Sequence, residues 1–188
     1  RLMQKKILVF FFIKIFMVTT VAHSAEDVTQ IFAQGMVAFK ADELDKAITT
    51  FKSVIKIKPD FVDAHYHLGL SYYRKAKFGQ AITSLKRTLE LLPRDLDVWI
   101  KLGMAYYKKG DFGQAVKAYQ EAIKIEPNNI EVLNNLGMAY DELSRFDEAI
   151  AVYQFALNIH PDHPQIQSNL SIAEDLKSGR YSLKAYRH

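Results

Sequence analysis

Residues 99–127 read W-I-K-L-G-M-A-Y-Y-K-K-G-D-F-G-Q-A-V-K-A-Y-Q-E-A-I-K-I-E-P. Trp99, Leu102, Gly103 and Tyr106 recur at helical spacing, and after a Gly110-Asp111 break so do Ala115, Val116, Tyr119, Ala122 and Ile123. Pro127 cannot continue the second helix and ends it. The stretch is therefore a helical hairpin with one apolar stripe per helix. Moving outward from it, four glycines (Gly35, Gly69, Gly103, Gly137), four alanines (Ala47, Ala81, Ala115, Ala149) and four prolines (Pro59, Pro93, Pro127, Pro161) each recur every 34 residues without an insertion. One hairpin is thus written four times, at 28–61, 62–95, 96–129 and 130–163.

The Trp-x-x-Leu-Gly-x-x-Tyr opening, the Ala-x-x-x-aromatic middle and the closing proline resemble the tetratricopeptide repeat. The resemblance implies an all-α, right-handed superhelical solenoid in which each unit touches only its neighbours. Gly103 on the first helix and Ala115 on the second are expected to let the two helices approach to about 8–10 Å. Gly110-Asp111 and Gly79 are read as turn residues between the helices. The first unit is the most divergent, with Gln34 and Ala38 where the others carry leucine and tyrosine, as expected for an end unit. After Pro161 the spacing of Ile166, Leu170, Ala173 and Leu176 predicts a capping helix over 164–177, opened by Pro164. Residues 178–188 form a basic tail with no sustained period.

The resemblance also implies where a partner sits, because the family's concave wall is lined by the first helix of each unit. Transferred to this chain, that wall carries Phe32, Met36, Phe39 and Lys40 in the first unit and Tyr66, Leu70, Tyr73 and Arg74 in the second. It continues with Ile100, Lys101, Met104, Tyr107 and Lys108 in the third and Asn134, Asn135 and Met138 in the fourth, where Asp141 and Glu142 turn it acidic. Methionine adapts to irregular apolar surfaces and tyrosine adds a polar end. The expected ligand is a protein segment with apolar anchors and some acidic residues; the competing expectation is that these side chains pack against one another. The carboxylate clamp of some family members, which holds a Glu-Glu-Val-Asp terminus, is not reproduced: only Lys101 has the required sign.

Composition narrows the function further. There is no cysteine, which removes disulfides, cysteine-ligated zinc and a thiol nucleophile. The net charge of +4 resides at the ends: Arg1, Lys5, Lys6 and Lys14 at one, Lys177, Arg180, Lys184 and Arg187 at the other. The acidic remainder lacks the basic stripe that nucleic acid requires. No phosphate loop or zinc-protease motif occurs. His65 and His67 lie too far apart around a helix to chelate one ion, and His160 and His163 flank a proline in a turn. An enzyme, a cofactor and a metal are not expected.

Residues 5–24, K-K-I-L-V-F-F-F-I-K-I-F-M-V-T-T-V-A-H-S, have the basic, apolar and small-residue order of a secretory signal, with Ala22 and Ser24 before a cut at Ala25. The alternative is an uncleaved membrane anchor over Ile7–Ala22, against which stands Lys14 at a cost of roughly 2.5–3.5 kcal/mol in a bilayer. Either way Lys5 and Lys6 favour repeats outside the cytoplasm, in the periplasm or beyond. An exported scaffold and a subunit of an envelope complex are the two functions this N-terminus allows.

Overall fold

The computed structural model describes residues 27–180. The leader-or-anchor segment 1–24 and the tail from Tyr181 onward lie outside the described residues. Those described form nine helices and no strand: α1 over 27–40, α2 Leu44–Ile57, α3 Val62–Arg74, α4 Phe78–Leu91, α5 Leu96–Lys109, α6 Phe112–Ile125, α7 Ile130–Glu142, α8 Phe146–Ile159 and α9 Pro164–Lys177. The chain is an all-helical solenoid of hairpins closed by a single helix.

Each helix packs on its chain neighbours, and α3, α5, α7 and α9 also touch one another in series. The even-numbered helices make no comparable series among the described residues. Odd helices therefore sit closer together than even ones, which bends the array and puts them on the inner wall.

The helix ends follow their sequences. Asp95, Asp111 and Asn129 cap α5, α6 and α7, each accepting a hydrogen bond from the amide three residues on, at 3.1, 3.4 and 3.1 Å. The turns inside the hairpins need one residue in the left-handed region, and it falls at the same place in every unit: Asp42, Ala76, Gly110 and Ser144. Gly110 suits that conformation. Gly79, read from the sequence as a turn residue, is the second residue of α4, and the turn before it is made by Ala76.

The core repeats one motif. Phe51, Leu85, Tyr119 and Tyr153, one per even helix, are fully buried beneath Gly35, Gly69, Gly103 and Gly137 of the preceding odd helix. A methyl group on Gly103 would lie 2.4 Å from the Tyr119 ring, and one on Gly137 would lie 2.3 Å from Tyr153. The glycines thus make room for the side chain beneath them, a ring in three units and Leu85 in the second, where the Ala81 carbonyl also lies 3.4 Å from the added carbon. The small side chains of Ala47, Ala81, Ala115 and Ala149 have no exposure at all.

A second recurrent device closes the outer ends of the units. The ring nitrogen Nε2 of His65 lies 2.8 Å from the Pro59 carbonyl, Trp99 Nε1 donates to the Pro93 carbonyl at 2.9 Å, and Gln167 Nε2 donates to that of Pro161 at 2.8 Å. Three different side chains do one job, satisfying a carbonyl left open where a helix stops. The fourth member of the set, Leu133, has no donor to offer.

Candidate functional site

The inner wall contains a half-enclosed pocket of about 170 Å³ lined by Tyr73 from α3, Met104, Tyr107 and Lys108 from α5, Asn135 and Met138 from α7, and Tyr119 below. Six of these seven side chains are ones that the sequence assigned to the wall; Tyr119, read only as core, is the floor. Three consecutive odd helices place them. Tyr73 and Tyr107 lean edge-on against Phe78 and Phe112 at the start of the following helix, with ring centres 5.5 and 5.2 Å apart, which fixes both phenols toward the pocket. Burial, with Tyr73 and Tyr107 nearby, pushes the Tyr119 phenol well above its ordinary pKa, so it stays a neutral donor. An apolar cavity of about 150 Å³ accepts a benzene ring. This pocket can take one large apolar side chain beside a lysine and an amide.

The other proposed wall residues divide into two groups. Several are used within the chain. The Tyr66 hydroxyl donates to Asp97 on the next odd helix, and burial followed by that carboxylate raises its pKa. Arg74 pairs with Asp42 at 2.7 Å, donates to the Phe39 carbonyl at 2.9 Å and lies 4.9 Å above the Phe39 ring. It is a clasp between the first two units, so neither Arg74 nor Phe39 is a free contact. Asn134 accepts from Asn169 of α9 at 2.8 Å, and its own amide reaches the Met138 sulfur at 3.5 Å. Ile100 is buried, 6% exposed, in the core shared by the third and fourth units, which corrects its placement on the binding surface. The side chain faces into the stack because the step from α5 to α7 needs an apolar filler there. Lys101 lies 3.6 Å from Asp97. The second group keeps more freedom: Lys40 and Lys108 are exposed and make no ion pair among the described residues, and Met36 and Leu70 are half-buried.

Phe32 belongs to an aromatic cluster that the sequence did not reveal. His67 sits among Phe32, Phe39, Phe51 and Tyr66, with ring centres 5.2–5.8 Å away, and its Nδ1 is buried without a hydrogen-bond partner. Burial lowers its pKa, with Asp63 opposing. Its position matches Lys101 and Asn135 one and two units on, which was the available signal. Among the described residues no group of three or more histidines and acids is placed to hold a metal. His163 caps α9 through Nδ1, 3.4 Å from the Ile166 amide.

At the acidic end, Tyr153 donates to Asp141 Oδ2 at 2.8 Å while Oδ1 is buried without a partner, and the Tyr107 hydroxyl lies 3.3 Å from Glu142 Oε1. Burial pushes the Asp141 pKa up to about 6, the Tyr153 bond works against that rise, and Glu142 adds to it. The folded protein therefore holds this proton more tightly than the unfolded chain does, and stability falls as pH rises from about 4 through 6 and stays lowered above. Asp141→Asn keeps an acceptor for Tyr153 and removes the buried charge. It should raise stability by ~1–2 kcal/mol at neutral pH, after allowance for partial exposure, and leave it unchanged at pH ~4. Urea denaturation at the two pH values measures this; equal effects at both would contradict it.

Comparison with known proteins agrees with this geometry. The description "TPR repeat" matches residues 35–76 and 103–144, and "Tetratricopeptide repeat" matches 63–94 and 130–163. The chain belongs to the tetratricopeptide-repeat proteins. Repeats of this family mediate protein–protein contact. No curated protein sequence matches the chain. Among solved structures it is similar to that of MamA protein, at 26% identity and a TM-score of 0.78 over 82% of this chain and 84% of the other. It is also similar to MamA of strain AMB-1, at 25% identity and a TM-score of 0.71 over 86% and 88%. A MamA fragment from Desulfovibrio magneticus RS-1, at 19% identity and a TM-score of 0.68 over 73% and 77%, shares the fold. No helix among the described residues of this tetratricopeptide-repeat protein is long and apolar enough to cross a membrane.

Proposed function

We propose that this protein is an exported scaffold or adaptor, without turnover of its own, that holds a partner protein by a segment laid along the inner wall. The observation that carries the reading is the pocket where Tyr73, Met104, Tyr107 and Met138 converge from three helices onto the Tyr119 floor. A large apolar side chain of the partner fills it, and Lys108 at its edge and Lys40 further along favour a carboxylate on the same segment. Buried pockets of this kind concentrate binding energy in a few aromatic and apolar contacts.

The test is to purify the protein from its native envelope with whatever it holds, then measure that partner's affinity for the Tyr73→Ala, Met104→Ala, Tyr107→Ala variant. A loss of roughly tenfold or more is expected; unchanged affinity would rule out the inner wall. Mass spectrometry of the same sample reads the N-terminus. Ala25 as first residue supports an exported soluble scaffold, whereas retention of residues 5–22 moves the protein to an anchored subunit of an envelope complex.

A further inference from the structure

A larger pocket lies on the outer side of the array, between α4, α5 and α6, and the grip on the inner wall makes no use of it. Its volume is about 410 Å³, and its floor is Leu89, Trp99, Leu102, Tyr106 and Ala118. Trp99 has already given its only donor to the Pro93 carbonyl, so its ring offers a plain apolar surface. By comparison with the benzene-sized cavity of about 150 Å³, the trough has room for more than one bulky side chain.

The rim is charged, and its balance favours anions. Glu90 and Glu121 border the trough, but each is engaged by a cation of its own helix, Arg87 at 2.6 Å and Lys124 at 2.6 Å. Lys86 of α4 and Lys117 of α6 also border it, are exposed, and have no carboxylate partner among the described residues. Two separate helices thus each contribute an unneutralised ammonium to one apolar trough.

The chain covers the corresponding tyrosines of the neighbouring units with its own side chains. One repeat earlier, the Lys52 ammonium lies 5.7 Å over the Tyr72 ring. One repeat later, Gln120 donates to the Tyr140 hydroxyl at 3.0 Å and the Arg145 guanidinium lies 4.6 Å over its ring. There, too, Val152 and Phe155 stand where this unit has Ala118 and Glu121. Tyr106 has no such cover among the described residues.

We propose that the trough is a second docking surface, which takes an acidic amphipathic segment of a partner protein: bulky apolar side chains enter between α4 and α6, and flanking carboxylates meet Lys86 and Lys117. Apolar burial supplies the affinity. The exposed ion pairs supply selectivity and a dependence on salt.

Trp99 is the chain's single tryptophan and lines the trough, so its emission reports occupancy directly. The full chain is titrated with two libraries of short synthetic peptides that share Leu and Phe anchors and lack tryptophan, one flanked by Asp and Glu, the other by Lys and Arg. The acidic library should shift the emission saturably and bind roughly fivefold to tenfold more tightly than the basic one, less so as salt is raised. The double variant Lys86→Glu, Lys117→Glu should reverse the preference with an unchanged circular dichroism spectrum. Glu121→Phe, which copies Phe155 of the next unit, should abolish binding by filling the trough. The proposal is overturned by no saturable shift with either library, by equal affinities, by a preference that survives the double variant, or by a shift seen only with phosphatidylglycerol vesicles. Tyr107→Ala on the inner wall should leave the response intact, so failure here and failure of the inner-wall reading are separable.

Discussion

Gly137→Ala should destabilise the protein, against the ordinary rule that alanine strengthens a helix. In an open helical position that replacement gains about 1 kcal/mol. Here the new methyl group would lie 2.3, 2.6 and 2.9 Å from three carbons of the Tyr153 ring, and that ring has no exposure and its hydroxyl is held by Asp141. Forcing extra carbon into a filled core costs about 1–3 kcal/mol, more at separations this short, so the clash wins. The expected net loss is ~2 kcal/mol, and Gly137→Val should lose more. Tyr153→Leu should relieve part of it in the double variant, because in the second unit, which pairs Gly69 with Leu85, the added carbon would lie at a longer 2.9 Å. Gly79→Ala and Gly113→Ala are the controls: both lie in helices with nothing within 4 Å, and both should stabilise by a few tenths to about 1 kcal/mol. Urea midpoints decide it, and Gly137→Ala as stable as the parent would remove the ring-under-glycine account of the core.

Phe51→Ala and Tyr119→Ala should each cost about 3–5 kcal/mol, since both remove a fully buried ring. Their consequences should differ in extent. In a stack held by nearest-neighbour contacts, an end unit opens alone while a middle unit takes its neighbours with it. Phe51 belongs to the first hairpin, where it packs with Phe32 at 5.6 Å and His67 at 5.8 Å. Its loss should release amide protection in 27–57 and spare α5 to α9. Tyr119 belongs to the third hairpin and also floors the inner pocket, so its loss should weaken protection on both sides and the partner's grip together. Hydrogen exchange read by mass spectrometry distinguishes the two patterns; identical patterns would mean the array unfolds as one block.

The helices and their stacking were legible because a period of 34 residues repeats the apolar stripes without interruption. The inner pocket was legible in part for the same reason, since Tyr73 and Tyr107 occupy one place in their units and Met104 and Met138 another. What the period does not encode is pairing between particular residues of adjacent units. Tyr66 is held by Asp97, Arg74 by Asp42 and Asn134 by Asn169, and each link depends on which side chain happens to stand about one repeat away. A wall position that looks free within its own unit can thus be occupied by the next. The outer trough went unread for the complementary reason: it is a space, made by the small Ala118 and the absence of a cover over Tyr106. Trp99 was visible as the start of the hairpin motif, but its role as a trough wall follows only from how far α4 and α6 stand apart.

Among the described residues the side-chain links between units span at most 35 positions along the chain: Gln120 to Tyr140, Lys75 to Asp45, Tyr107 to Glu142, Lys177 to Asp147. Every fastening is consequently local to one joint, like the tenons of a jointed rule. Duplication or loss of a whole unit would lengthen or shorten the molecule by one segment while leaving each remaining joint made of partners that still sit side by side. Changes of reach between related proteins can then arise by copying segments, with no need to redesign the packing inside them.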